Sequence, residues 1–403
     1  MPHIAVVGAG QAGFSVIDGL RRGGFDGDIT LFGNEPVPPY QRPPLSKKYL
    51  TGEFSLDRLL LRPESYYAER NVELKLGTNV LAINRGSKSL DLGESRMSYD
   101  MLALTTGATP RMLPPAMGGS LDGVFTVRSL GDVDRMSAEF QEGRNVLIVG
   151  GGYIGLEAAA VAAQRGLKVT LVEASERILH RVACAETSDY FRELHQKNGV
   201  EIWEKTGLAR FIGDTHVEGA FLSDGTKIAA DFAIVGVGIT PDTWLAEAAG
   251  LKVVNGICVN AYCRTSDPAI YAGGDCASFP FKSSRLRLEN VGNAIDMGEA
   301  IASAMLGAGE RYVPKPWFWS DQYDVTLQIA GLHHGYTTIV TRPGERTGAI
   351  SWWYFNKEKL LAVDAVHDGK AYMIGKRWIE AGMSPSQEDL ADPSKPLKTL
   401  DVA

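Results

Sequence analysis

Two copies of one glycine pattern, far apart in the chain, constrain the fold more than any other feature of the sequence. Residues 145–149 form an apolar run of strand type that ends in Gly150-x-Gly152-x-x-Gly155. A small-residue-rich helical stretch follows, stops near Gly166 and gives way to a second strand, 168–172, ending on Glu173. The plan is repeated by a strand at 3–7, Gly8-x-Gly10-x-x-Gly13, a helix to about Gly23 and a strand at 28–32, with Glu35 beyond it. Such glycines serve a tight turn, close backbone approach to a pyrophosphate and close packing of helix on strand. The helix start offers free amides and the positive end of its dipole to the phosphates. Glu173 and Glu35 each stand about twenty residues past the last glycine, where a carboxylate accepts from a ribose 2′-hydroxyl. One such loop is compatible with a structural turn; two complete units predict two dinucleotide sites.

At 403 residues the chain is too long for one core, and two or three domains are expected. No stretch is long and apolar enough to span a bilayer. A strand beginning at His3 leaves no room for a signal peptide, so a cytoplasmic location is expected. Cys184, Cys258, Cys263 and Cys276 form no C-x-x-C and no metal-ligand spacing, and no metal site is expected. A net charge of −7 argues against nucleic acid as a general partner.

After the first unit, GNEPVPPYQRPPLSKK (33–48) is too rich in proline for a regular helix and predicts a stiff loop beyond the carboxyl end of a strand. That edge of an open α/β sheet is where ligands lie, and Arg42 and Lys47 are placed there. Alternation over 72–92 suggests antiparallel strands, and YDMLALTTGATPR (99–111) reads as a buried strand leaving through a glycine turn. Beyond Glu173 come a helix at 186–198, a strand at 200–204, an Asp224-Gly225 hairpin signal and a strand at 232–237 ending in GVGITPD. AIYAGGDCA (269–277) reads as a short buried strand, two glycines, and Asp275 opening a helix. A long helix is expected at 292–306. From Lys315 a tryptophan-rich tail predicts a small sheet from 326–330, 337–341 and 350–355, then a helix near 371–381; residues from Pro385 on are expected to be loosely held.

Two dinucleotide sites in one chain are best explained by one tightly held flavin and one diffusing nicotinamide, which carry the hydride themselves. The first unit would hold FAD and the second NADH. Glu173 favours NADH because a carboxylate there repels a 2′-phosphate, although Arg177 and Arg181 lie nearby in sequence.

The combination GAGQAG, PYQRPPLSK, TTGATPR, GGGYIGLE, GVGITPD, AGGDCA and PWFWSDQYD resembles the FAD-dependent ferredoxin reductases of bacterial oxygenase systems, within the glutathione-reductase structural superfamily. The resemblance spans residues 2 to about 381, and PYQRPPLSK with PWFWSDQYD is its most specific part. It implies an α/β chain with two Rossmann-like dinucleotide-binding domains and a C-terminal mixed α/β domain. The FAD domain would be discontinuous (1–107 and 241–313), the NAD domain would be 108–240, and residues 314–403 would cover the flavin. It further implies FAD contacts from Gly8, Gly10, Gly13, Glu35, Arg42, Lys47, Thr106, Gly107, Arg128, Asp275, Val291 and Trp319. Nicotinamide-nucleotide contacts are implied for Gly150, Gly152, Tyr153, Ile154, Gly155, Glu173, Arg181 and Gly238. Lys47 and Glu157 would form the catalytic pair near the nicotinamide. His333 and His334 are read as ordinary surface or core histidines.

One absence decides the subclass. Disulfide reductases of the superfamily relay electrons through cysteines just after the first unit, and residues 34–60 contain none; Ser46 stands in that region. The resemblance therefore implies hydride transfer from NADH to FAD, then single electrons to a two-iron two-sulfur ferredoxin that feeds a monooxygenase or dioxygenase. Alternatives are a rubredoxin reductase, an NADH oxidase or peroxidase, and a redox-sensing flavoprotein. Ferredoxins of this kind are acidic, so a basic patch is needed, and Lys282, Arg285, Arg287, Arg311 and Lys315 are the expected docking residues. A monomer or homodimer is expected.

Overall fold

The computed structural model describes residues 1–402. They divide into two compact units, one made of Met1–Gln41, Phe54–Thr109 and Ile239–Pro316, the other of Arg42–Glu53, Pro110–Gly238 and the residues from Trp317 on.

The core of the first unit is a five-stranded parallel sheet in the order Ile270–Ala272, Met101–Leu104, His3–Val7, Asp28–Phe32, Val72–Lys75. Its central strands are continuous apolar runs because both faces are covered. Helix Gln11–Arg22 packs on helix Val291–Met305 so closely that a Cβ at Gly298 would lie 2.5 Å from the Ser15 Cβ. The alternation over 72–92 resolves differently from expectation. Val72–Lys75 joins the parallel sheet, and only Ala82–Asn84, with Ser89–Asp91 and Arg96–Ser98, forms an antiparallel meander. Asp275 likewise opens no α-helix: it lies in a 3-10 turn, Gly274–Cys276, that runs directly into strand Ala277–Phe281.

The second unit contains the same plan again. Its parallel sheet runs Glu201–Glu204, Lys168–Glu173, Asn145–Val149, Phe232–Val235, Val124–Phe125. It also contains an antiparallel sheet in the order Trp317–Gln322, Val325–Gly331, Lys359–Val366, Ile350–Asn356, Thr338–Pro343. Two of these strands, Trp317–Gln322 and Lys359–Val366, lie outside the three expected ones. Helix Gly369–Ala381 covers the sheet, with Trp378 packed on Trp353 at a ring separation of 5.7 Å.

The end of the chain is not loosely held. Buried Arg342 donates through Nη1 to the carbonyls of Leu390 (2.6 Å) and Asp392 (2.9 Å) and through Nη2 to that of Lys395 (2.6 Å). Leu390 and Leu397 lie in the sheet's core, and Pro385 pairs with Val402. A single guanidinium ties down a segment whose composition alone reads as a tail.

Candidate functional site

The two glycine loops are built alike. Each follows the central strand of its sheet, at the carboxyl edge where the neighbouring strands diverge. Gly8, at φ +118°, passes so close to the next strand that a Cβ would fall 2.1 Å from the Thr105 carbonyl oxygen. Gly150, at φ +109°, meets the Gly236 carbonyl in the same way, at 2.5 Å. Gly13 and Gly155 pack their helices onto these loops, 2.0 and 2.1 Å from the Gly8 and Gly150 carbonyls on the same test. In contrast, a Cβ at Gly10 or Gly152 would meet nothing within 4 Å. Those two residues are the N-caps of Gln11–Arg22 and Tyr153–Gln164, with no side-chain cap and no acidic residue in either first turn. Free space over uncapped amides at a helix start is what a pyrophosphate requires, and both loops fit one.

Glu173 ends its second strand and Glu35 lies three residues past its own. Glu173 accepts from the amides of Gly151 and Ser175, each at 2.7 Å, which holds its carboxylate at the lip of the glycine loop. Glu35 accepts from the Tyr40 hydroxyl at 2.6 Å, so the proline loop returns to brace it. Arg181 approaches Gly238 and is exposed, and Ile154 is exposed at the first helical turn. Arg177, by contrast, is committed to the Ala183 (2.8 Å) and Cys184 (3.1 Å) carbonyls.

In the first unit, Thr106 donates to the Asp242 carbonyl at 2.6 Å and Gly107 (φ +74°) accepts from its amide at 3.0 Å, which closes the crossover at the strand exit. Val291 begins its helix behind an Asn290 cap, and the Asp275 carbonyl accepts from Arg287 at 3.2 Å. In the second unit, Arg42 donates to the Arg128 carbonyl at 2.6 Å, and Trp319 stacks on Trp317 at 5.5 Å.

Lys47 and Glu157 meet. The proline loop turns through a short 3-10 helix, Pro43–Ser46, and Lys47 Nζ lies 2.8 Å from Glu157 Oε2. Ser46 donates to the same oxygen at 2.7 Å, and Ser320 donates to Oε1 at 2.8 Å. Glu157 is 4% exposed, so three donors from two segments, the proline loop and strand Trp317–Gln322, replace the water a carboxylate would otherwise hold. Tyr153 lies one helical turn away against Phe318, with ring centroids 4.7 Å apart, and burial holds its phenol well above the usual range.

Ser320, Gln322 and His195 carry no role assignable from sequence alone. Ser320 and Gln322 are polar residues two apart in a strand, and both are buried; that period-two placement inside the SDQ stretch was the available signal. His195 gave none.

Of the expected docking residues, two are used internally. Arg285 donates to the Val259 carbonyl (2.7 Å), the Ser278 hydroxyl (3.1 Å) and the Ser278 carbonyl. Arg287 pairs with Glu289 at 2.6 Å with its side chain 10% exposed. Lys282, Arg311 and Lys315 remain exposed.

Residues 2–298 match the pyridine nucleotide-disulphide oxidoreductase family, and residues 317–401 match the reductase C-terminal family. A ferredoxin–NAD(P)(+) reductase of Sphingomonas sp is 40% identical, over 98% of this chain and 97% of its own. A rubredoxin–NAD(+) reductase of Pseudomonas putida is 36% identical, over 90% of this chain and 95% of its own. Putidaredoxin reductase, solved in covalent complex with putidaredoxin, superposes with a TM-score of 0.95 at 38% identity, covering 98% of this chain and 97% of that one.

Proposed function

This chain belongs to the pyridine nucleotide-disulphide oxidoreductase family, and we propose that it is an NADH:ferredoxin oxidoreductase supplying electrons to an oxygenase. It is an FAD- and NAD(P)H-using oxidoreductase, as its family and its relatives are. The observation that carries the acceptor is Ser46: where disulfide reductases need a thiol, this loop presents a hydroxyl bonded to Glu157 at 2.7 Å. The four cysteines are all buried and none forms a disulfide. Bound FAD would supply the capacity to take a hydride from reduced nicotinamide and to give up its electrons singly.

The chain's own residues supply binding, orientation and charge. The 1–107 and 241–313 segments hold FAD through the Gly8–Gly13 loop, Glu35, Thr106, Gly107, Asp275 and Val291, joined by Arg42, Arg128 and Trp319. The 108–240 segment holds the nicotinamide nucleotide through the Gly150–Gly155 loop, Tyr153, Ile154, Glu173, Arg181 and Gly238. Residues 314–403 form the third domain. Lys47 supplies positive charge at the reacting end, and Glu157 orients it. Glu173 selects NADH, because its carboxylate is fixed at the loop and Arg177 is engaged elsewhere. The ferredoxin docks at Lys282, Arg311 and Lys315, exposed cations of that stretch, whereas Arg285 is drawn into hydrogen bonds with Val259 and Ser278.

The test is NADH-dependent cytochrome c reduction by the flavin-loaded protein, with and without a two-iron two-sulfur ferredoxin or a rubredoxin. A large rise with ferredoxin is expected. A rise with rubredoxin alone would reassign the acceptor, and steady oxygen consumption with neither carrier would replace the reading with an oxidase.

A further inference from the structure

We propose that Ser320, Gln322 and His195 are positioning residues for the Lys47–Glu157 pair, forming one hydrogen-bonded chain whose donors all point toward the Glu157 carboxylate. This rests on the reading of that pair as the charged group at the reacting end.

The chain is continuous and buried. Ser320 Oγ donates to Glu157 Oε1 at 2.8 Å, Gln322 Nε2 to Ser320 Oγ at 3.1 Å, and Gln322 Oε1 lies 2.8 Å from His195 Nε2. The Tyr323 hydroxyl lies 3.1 Å from His195 Nδ1. Ser320, Gln322 and His195 are each no more than 1% exposed.

Its direction follows from proton counting. A carboxylate only accepts, so the one hydroxyl proton of Ser320 is committed to Glu157. Ser320 must then accept from the Gln322 amide, which turns the Gln322 carbonyl to His195. His195 Nε2 therefore carries a proton and donates. Nδ1 is left as an acceptor for Tyr323, provided the ring is neutral. Burial pushes His195 down to about 4, which keeps it so. Among the described residues, the side chains bonded to this ring are the uncharged Tyr323 and Gln322.

A chain polarised in one sense strengthens each successive donor. Its end is an anion that already receives Lys47 and Ser46, so it fixes the second oxygen and with it the carboxylate plane. It is not a proton wire: an amide cannot pass a proton along without leaving its stable form, and Gln322 interrupts the path. The chain therefore orients. It joins helix Ala185–Lys197 and strand Trp317–Gln322 to helix Tyr153–Gln164, so a residue of the C-terminal sheet sets the geometry of a pair assembled elsewhere in the chain.

The experiment compares Ser320→Ala, Ser320→Thr and Glu157→Gln in the flavin-loaded protein. Flavin reduction by NADH is followed in single turnover, and His195 by nitrogen-15 histidine NMR. Ser320→Ala should slow flavin reduction by about tenfold, the size of one charge-assisted hydrogen bond, with NADH affinity changed less than about twofold. Ser320→Thr should restore most of the rate. In the parent protein His195 should be the neutral Nε2–H tautomer even near pH 6, and Gln322→Leu should expose that proton to exchange. An Nδ1–H tautomer, or Ser320→Ala reducing at the parent rate while Glu157→Gln is slow, overturns the positioning role alone. Glu157→Gln reducing at the parent rate overturns the reading of the pair itself, and the proposal falls with it.

Discussion

Thr187 donates its hydroxyl proton to the fully buried Asp364 carboxylate at 2.9 Å, fastening the first turn of helix Ala185–Lys197 to the last strand of the C-terminal sheet. Tyr354 donates to the same oxygen. The far end of this helix is fastened too, through His195 and Gln322. Burial pushes the Asp364 carboxyl from 3.8 up to about 7, with the two hydroxyl donors opposing the shift. A carboxyl raised in the folded state contributes stability below its unfolded value and loses it as pH rises through the folded one. The Asp364 contribution to the unfolding free energy should therefore fall between about pH 4 and pH 7, by at most roughly 1.4 kcal/mol per pH unit. His195, pushed down to about 4, acts oppositely: its contribution is intact above about 6.5 and is lost as pH falls through 4. Denaturant unfolding at stepped pH separates them. Asp364→Asn should abolish the loss on approach to neutrality, and His195→Gln should flatten the acid side; an unchanged slope in either variant refutes its assignment.

Gly8 and Gly10 should behave differently although both belong to one loop. Alanine at Gly8 meets the Thr105 carbonyl at 2.1 Å and a φ of +118°, so it should destabilise the apoprotein by a few kcal/mol. Alanine at Gly10 meets open space, so the apoprotein should keep its unfolding midpoint while flavin affinity falls at least about tenfold. Thermal melts of the apoproteins with fluorescence titration of FAD give both readings. Equal loss of fold in the two variants would contradict the role given to the open space.

Glu173→Gln should raise KM for NADH by about tenfold and narrow the preference over NADPH, since the amide keeps an acceptor but not the charge that repels a 2′-phosphate. Steady-state kinetics with both nucleotides measure it. A parent-like ratio of kcat/KM would assign selectivity elsewhere.

Arg311→Glu should lower kcat/KM for an acidic ferredoxin several-fold at low salt, with flavin reduction by NADH unaffected. The deficit should shrink as ionic strength rises and the Debye length contracts. A salt-independent deficit, or none, removes Arg311 from the docking surface.

Both dinucleotide units are legible because the first and third glycines of each loop are dictated by collisions that sequence spacing encodes, loop against strand exit and helix against loop. The meeting of Lys47 and Glu157 was legible only through resemblance, as nothing local links a proline loop to a helix 111 residues beyond Ser46. What escaped was decided by single side chains acting at long range. Arg342 orders a tail that composition reads as loose. Arg285 and Arg287 look like free cations until their carbonyl and carboxylate partners are in place.

The cysteines carry a last consequence. Burial pushes the Cys184 thiol up to about 11 and Cys263 up to about 12, and raises Cys276 as well; all four sulfurs are enclosed. Electrophiles and soft metals that disable thiol-relay flavoenzymes capture exposed thiolates, and this chain presents none among its described residues. Arsenicals, gold complexes and alkylating agents would silence its disulfide-handling cousins and leave this electron supply running, so resistance to such poisons comes with a loop at 34–60 that carries no cysteine.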